Sequence, residues 1–266
     1  MRPRDVHDYL ALRRLSKNAL ETLRFRKRQR AGQLLHVQLR DGAELEIRAE
    51  RADYHMFHRI FLADEYRLTS LARRSLGTVI DLGGNVGLFA ARAATLARRV
   101  VAYEPVAANF AQLLTNVARY PNVEAIPKAV GPAGRIRIYH PRIPELSGVY
   151  SSFRENGGHM SDRYDEVDAV PLGEILEQHA IDRCTLLKID VEGQEYDILY
   201  GASRDVLARV DNIHAEYHDV ARDDPKSRVD ALVGYLADHG YQTELVPHRR
   251  KPNHGMLFAS RAAATS

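Results

Sequence analysis

The residues with the most chemical content stand in one glycine-rich run, Thr78-Val79-Ile80-Asp81-Leu82-Gly83-Gly84-Asn85-Val86-Gly87-Leu88-Phe89-Ala90. Val79 and Ile80 read as the end of a buried strand. Leu88 to Leu96 reads as the helix that follows, whose first N–H groups face any anionic ligand group. Gly83, Gly84 and Gly87 let the backbone turn sharply and approach a ligand closely. Three ligand classes compete for such a loop. A phosphate-binding loop ends in Gly-Lys-Ser/Thr, and no Lys follows here. A dinucleotide fingerprint needs glycine at position 85, where Asn85 stands. Asp81 repels a pyrophosphate and suits an ammonium group, such as the amino-acid end of S-adenosylmethionine. The next apolar run, Arg99-Val100-Val101-Ala102-Tyr103-Glu104-Pro105, also ends in an acid. Glu104 is placed to accept hydrogen bonds from ribose hydroxyls, and Asn109 sits on the helix beyond it.

Three blocks together resemble the FkbM-type methyltransferases: Asp81-Leu82-Gly83-Gly84-Asn85-Val86-Gly87; Tyr103-Glu104-Pro105 with Asn109; and Leu187-Lys188-Ile189-Asp190-Val191-Glu192-Gly193. The resemblance spans roughly residues 55 to 220, with Gly84 where many members carry alanine. It implies an α/β, Rossmann-like methyltransferase fold that uses S-adenosylmethionine. It also implies methylation of hydroxyl groups on sugars, polyketides and other small or glycan acceptors. Gly83, Gly84, Asn85 and Gly87 then join Asp81, Glu104 and Asn109 as cofactor-binding residues. Ala129, at the end of the third strand, borders the adenine. Ser151 and Ser152 resemble the family's small-hydroxyl turn near the cofactor.

Methyl transfer from a sulfonium is an in-line displacement, so the protein must align the acceptor and take its proton. Thr185 to Asp190 is an apolar strand ending in charge, and ligands of open α/β sheets bind at the C-terminal ends of strands. Asp190 is therefore assigned to acceptor orientation or general-base work. Lys188 shares its strand face and is expected to pair with Asp190 or Glu192. The next strand, Val210 to Asp219, puts Glu216 and His218 on one face. His218 is the second candidate base, and Glu216 a candidate acceptor anchor. Asp190, Glu216, His218 and Asp219 are scattered over two strands, so no metal site is expected. His159, His248 and His254 fall in loops or a late hairpin and are expected at the surface.

Several elements must hold these groups. Tyr9, Leu12, Ala19, Leu20 and Leu23 recur at helical spacing through a basic head that ends in Arg24-Phe25-Arg26-Lys27-Arg28-Gln29-Arg30. Apolar residues alternate on both sides of Asp41-Gly42, which predicts a β-hairpin. Residues 53–74 return to helical spacing. From Thr78 to about residue 240, apolar runs alternate with helical stretches, predicting a mostly parallel sheet with helices on both faces. Residues 141–166 read as a long loop, and 241–246 and 255–260 as two final antiparallel strands. The expected division is an N-terminal lead-in, 1–74, and an S-adenosylmethionine-binding domain, 75–262.

Composition narrows the partners. The 266 residues carry 38 Lys and Arg against 35 Asp and Glu, too balanced for nucleic-acid binding by charge alone. Residues 1–30 hold a net +7, leaving −4 on the remainder, and the basic head is a candidate homodimer contact. Cys184 alone excludes a disulfide scaffold. No apolar run reaches the roughly 18 residues of a membrane span, and no secretory signal is recognised, so the expected location is the cytoplasm. Nucleic-acid methyltransferases predict Asn/Asp-Pro-Pro-Tyr/Phe where this chain reads Asp190-Val191-Glu192-Gly193. A small-molecule or glycan acceptor is expected. The alternatives are methylation of nitrogen or a carboxylate, and a non-catalytic module that keeps the cofactor.

Overall fold

A computed structural model of the chain describes residues 3–28, 32–49, 51–72, 76–142, 150–152, 160–218, 225–248 and 253–261. The centre is a seven-stranded sheet of order β11-β12-β10-β9-β3-β4-β5. Its parallel part comprises β3 (Leu76–Leu82), β4 (Ala97–Tyr103), β5 (Val123–Ile126), β9 (Leu186–Ile189) and β10 (Asn212–His218). β12 (His254–Arg261) runs antiparallel to β10, and β11 (Tyr241–Pro247) antiparallel to β12.

Strand alternation splits the core. Val79, Val100 and Leu186 face one apolar cluster with α5 (Leu88–Ala94) and α6 (Ala107–Val117). Ile80, Val101 and Leu187 face the other, with α7 (Leu172–Gln178), α8 (Glu195–Tyr200), α9 (Arg204–Ala208) and α10 (Val229–Asp238). Strands buried on both faces read as continuous apolar runs, which is why Val79-Ile80 and Leu186-Leu187 show no polar alternation. β3 lies between β4 and β9, so the chain reverses its winding there and leaves a crevice at the strand ends.

The N-terminal segment packs on the first cluster, with Leu12, Leu23, Val37 and Leu45 buried alongside Phe89 and Leu113. The head is two helices, α1 (Pro3–Leu15) and α2 (Ala19–Arg28), where one was expected. Asn18 breaks it: its Nδ2 donates to the His36 carbonyl at 2.6 Å, and its Oδ1 accepts from the Gln38 N–H at 3.0 Å. Those bonds pin the turn to β1 (Leu34–Gln38), which pairs with β2 (Glu44–Arg48) across Asp41-Gly42 as expected. Gln29 and Arg30 of the basic run lie outside the described residues.

The stretch 53–74 is also divided. α3 (Arg51–Phe57) runs into a π-helical turn, His58–Leu62, and α4 (Leu68–Leu71) follows after a break. Asp64 and Arg67 have φ of 48° and 53° there, which ends the helix.

The expected loop at 141–166 is in part a second sheet. β7 (Gly134–Pro141) and β8 (Met160–Val170) pair antiparallel, and β6 (Ala129–Val130) joins β8. Ala129 therefore belongs to this three-stranded sheet and not to the end of the third strand. Residues 143–149 and 153–159, including His159, lie outside the described residues, as does Asp219.

No helix among the described residues is long and apolar enough to cross a membrane.

Candidate functional site

A cavity of about 860 Å³ opens over the C-terminal ends of β3, β4, β9 and β10. Its walls include Gly83, Asn85, Glu104, Asn109, Ala129, Asp190, Glu216 and His218, eight of the eleven residues assigned from sequence. Asp81, Gly84 and Gly87 are not among them.

Asp81 lies fully buried beneath the loop, with Lys188 Nζ 2.9 Å from its Oδ1. Lys188 also donates to the carbonyls of Gly83 at 2.7 Å and Leu82 at 3.2 Å. Burial pushes Asp81 up and works against the lysine charge. Asp81 and Asp190 nonetheless hold Lys188 protonated. The expected partner of Lys188 was Asp190 or Glu192; register supplies Asp81 instead, because Asp81 and Lys188 are direct neighbours across β3 and β9. Asp81 thus acts on the loop through Lys188 and does not reach the cavity wall.

The glycines serve protein contacts at least as much as ligand approach. A Cβ on Gly83, whose φ is 79°, would sit 1.9 Å from the Asp190 carbonyl. On Gly84 it would meet Leu113 Cδ1 at 2.7 Å. Gly87, with φ of 81°, caps α5 against Leu113. Gly83→Ala is expected to destabilise the fold by about 2 kcal/mol or more, since both the clash and the left-handed backbone oppose it. A thermal melt reads that loss directly.

Glu104 is 5% exposed. Its Oε2 accepts from the Asn85 N–H and its Oε1 from the Val106 N–H, each at 2.8 Å. Burial pushes the carboxyl up to about 7, against these two hydrogen bonds. It therefore joins the glycine loop to the start of α6 while lining the cavity. Asn109 Oδ1 is 3.4 Å from Arg48 Nη2, which ties α6 to the hairpin.

Across the cavity stands a charged cluster. Asp190 Oδ2 accepts from the Tyr66 hydroxyl at 2.7 Å. Burial alone raises that carboxyl, but Lys188, His218 and Arg59, with the tyrosine bond, bring it below its ordinary value. Glu216 is ion-paired to Arg59 Nη2 at 2.6 Å, and Arg59 also binds Glu65. His218 Nδ1 lies 3.0 Å from Glu195 Oε1, and its Nε2 3.5 Å from Glu192 Oε2. Burial opposes the ring's charge, yet Glu192 and Glu195 hold it protonated well above the usual range. A protonated ring donates and does not accept, so beside Glu192 and Glu195 the ring stands as a hydrogen-bond donor. Glu192 moves the other way: burial and the neighbouring carboxylates raise it, with His218 in opposition. Glu195, fully buried, accepts from the Gly193 and Val191 N–H groups and so shapes this turn, where Glu192 takes φ of 54°.

One ligand atom from each of Asp190, Glu192 and His218 lies within 4.8 Å of the others, close enough for a divalent cation to bridge. Of the residues that looked scattered in sequence, Asp190 and His218 converge here, joined by Glu192, because β9 and β10 are adjacent and parallel. Ser151 Oγ donates to the Glu192 carbonyl at 2.9 Å, and Ser152 lines the cavity. His248, exposed as expected, lines its rim, and His254, expected at the surface, is half-buried in its wall. The ring of His254 stands 4.9 Å from that of His218, since β12 pairs His254 directly with His218.

Sequence reasoning left out Arg59, Tyr66, Glu192 and Glu195 as site residues. Glu192 lay inside a block already singled out. Arg59 and Tyr66 come from the lead-in, where nothing local links them to strand ends more than a hundred residues away.

The profile of the Methyltransferase FkbM domain matches residues 81–243. The chain is 29% identical over 226 residues to the AMB antimetabolite synthetase AmbE of Pseudomonas aeruginosa, which covers 72% of this chain but only 11% of that protein. It is 26% identical over 234 residues to the 31-O-demethyl-FK506 methyltransferase FkbM of Streptomyces tacrolimicus, covering 77% of this chain and 88% of that one. Among solved structures, the METTL16 MTase domain superposes with a TM-score of 0.51 at 12% identity, over 91% of this chain and 78% of that one. That likeness is one of fold, and it matches the Rossmann-like methyltransferase architecture expected from sequence.

Proposed function

The chain belongs to the Methyltransferase FkbM domain family, whose members use S-adenosylmethionine, and from that premise we propose that it methylates a hydroxyl oxygen of a sugar, glycan or other natural-product acceptor. The observation that carries this reading is the meeting of two different walls in one cavity. One wall holds the glycine loop and Glu104; the other holds Asp190, Glu192, Glu216 and His218. The Streptomyces relative is named as a 31-O-demethyl-FK506 methyltransferase, and methylation of an oxygen suits this carboxylate-rich wall.

The first wall fits the cofactor. Glu104 offers its remaining lone pairs to a ribose diol, with its position fixed by two backbone N–H groups. Val106, Val130, Ile136, Ile138 and Met160 supply apolar lining beside it. Asn85, Asn109 and Ala129 complete the wall, while Asp81, Gly84 and Gly87 hold the loop in shape. The bound cofactor supplies an electrophilic methyl group.

The chain's own residues then divide the proton work. Asp190, kept ionised by its positive neighbours, accepts a hydrogen bond from the acceptor hydroxyl and orients it. Glu192, raised toward neutrality, takes the proton as the oxygen loses it. His218, already protonated, faces Glu192 as a positive charge and does not itself take the proton. Glu216, aligned by Arg59, anchors a further hydroxyl of the acceptor.

Glu104 gives a pH signature. Hydrogen bonds from ribose favour its ionised form, so binding lowers a carboxyl that stands near 7 in the free protein. Affinity for S-adenosylhomocysteine should be highest above pH 7 and fall about tenfold per unit below it. Calorimetry across that range checks this, and Glu104→Gln should bind weakly with a flat profile.

Purified protein incubated with methyl-labelled cofactor and fractionated extract tests the reaction. Alkali-stable label in a glycan or small-molecule fraction supports oxygen methylation. Alkali-labile label points to a carboxylate, and no label points to the non-catalytic module.

A further inference from the structure

Gln194 lines the cavity yet is only 8% exposed, and its Oε1 has no hydrogen-bond partner among the described residues. Nothing in the charged cluster accounts for it. The side chain reaches toward β6: a Cβ built on Gly131 would lie 3.3 Å from that oxygen. The Gly131 N–H is already given to the Val170 carbonyl, so the backbone there does not satisfy the amide. A buried carbonyl without a donor is costly unless a ligand supplies one.

The surroundings say what kind of ligand group that is. Val130, Ile136, Ile138 and Met160 line this part of the cavity, an apolar setting for a flat ring. Glu104 stands nearby, since its N–H donates to the carbonyl of Ile126, four residues before Val130. Glu104, the apolar strip and Gln194 line the same cavity, so a ribose held by Glu104 would leave its base to the apolar strip beside Gln194.

We propose that Gln194 is the specificity residue for the cofactor's base, with its Oε1 accepting a hydrogen bond from the exocyclic 6-amino group of adenine. This rests on the cofactor reading above. The position is not dictated by the loop or by the acidic turn. Gln194 immediately precedes α8 as its N-cap; its backbone carbonyl accepts from the Ile198 N–H, while its side chain makes no capping hydrogen bond and is left for the ligand.

Calorimetry with two ligands and three proteins tests it without any acceptor. The ligands are S-adenosylhomocysteine and its analogue with hydrogen in place of the 6-amino group. The proteins are the wild type, Gln194→Leu and Gln194→Glu. Wild type should bind the analogue about tenfold more weakly than the parent, the worth of one buried hydrogen bond. Gln194→Leu should lose about tenfold for the parent and nothing further for the analogue. Gln194→Glu, which keeps an acceptor, should stay within about threefold of wild type for the parent. Losses that simply add, equal losses for both ligands, or full affinity in Gln194→Leu overturn the assignment. Failure of wild type to bind the parent ligand overturns the cofactor reading itself, and is seen before any variant is made.

Discussion

Lys188→Met should cost about 3–5 kcal/mol of folding stability, the usual loss when one partner of a buried ion pair is removed. The substitution strands Asp81, whose carboxylate is fully buried, and leaves the carbonyls of Leu82 and Gly83 without their shared donor. Urea denaturation reads the loss. Asp81→Leu combined with Lys188→Met should recover much of it, because two apolar groups of similar bulk remove the unpaired charge. A loss under about 1 kcal/mol in Lys188→Met would mean that the pair does not hold the loop. The same variant should also weaken S-adenosylhomocysteine binding, since the loop it tethers lines the cavity through Gly83 and Asn85. Asp81 is therefore expected to matter for the cofactor at second hand.

Asp190→Asn should leave S-adenosylhomocysteine affinity within about threefold of wild type and lower methyl transfer by about 10²–10⁴-fold, the range for loss of a positioned acid or base. The amide keeps the shape of the carboxylate and can still accept from Tyr66, so the turn should stand. What it loses is the negative charge that orients the acceptor hydroxyl and balances Lys188, Arg59 and His218. Label transfer and calorimetry on the same preparation separate the two effects. Normal transfer by Asp190→Asn would remove this residue from the reaction.

The sheet was legible because its buried strands announce themselves. Val79-Ile80, Val100-Val101-Ala102-Tyr103 and Leu186-Leu187 are apolar stretches, each running directly into a charged residue. The hairpin at Asp41-Gly42 was equally plain, since that turn pair and the alternation around it agree. Asp190, Glu216 and His218 could be placed in one site because strand ends converge by rule in this class of sheet. What the sequence did not disclose depends on contacts between distant segments. The break at Asn18 exists because β1 supplies a partner for its side chain. β8 pairs with β6 and β7, although its first residues, 160–166, fall in a stretch whose Gly, Pro and charge content reads as loop. Glu192 and Glu195 raise the pKa of His218 against the effect of burial, and no residue-type argument yields that. Asp81 illustrates the converse, since its place before the glycines matched a ligand contact as well as it matched a pair with Lys188. Only the register of β3 against β9 distinguishes them.

One cavity, on this reading, is divided between a cofactor wall and an acceptor wall. A crystal structure of the complex with S-adenosylhomocysteine tests that most directly. The ribose hydroxyls should lie within about 3 Å of Glu104, with the sulfur facing the space bounded by Asp190, Glu192 and Glu216. A ribose elsewhere, or a ligand seated among Asp190, Glu192 and His218 with Glu104 untouched, would contradict it.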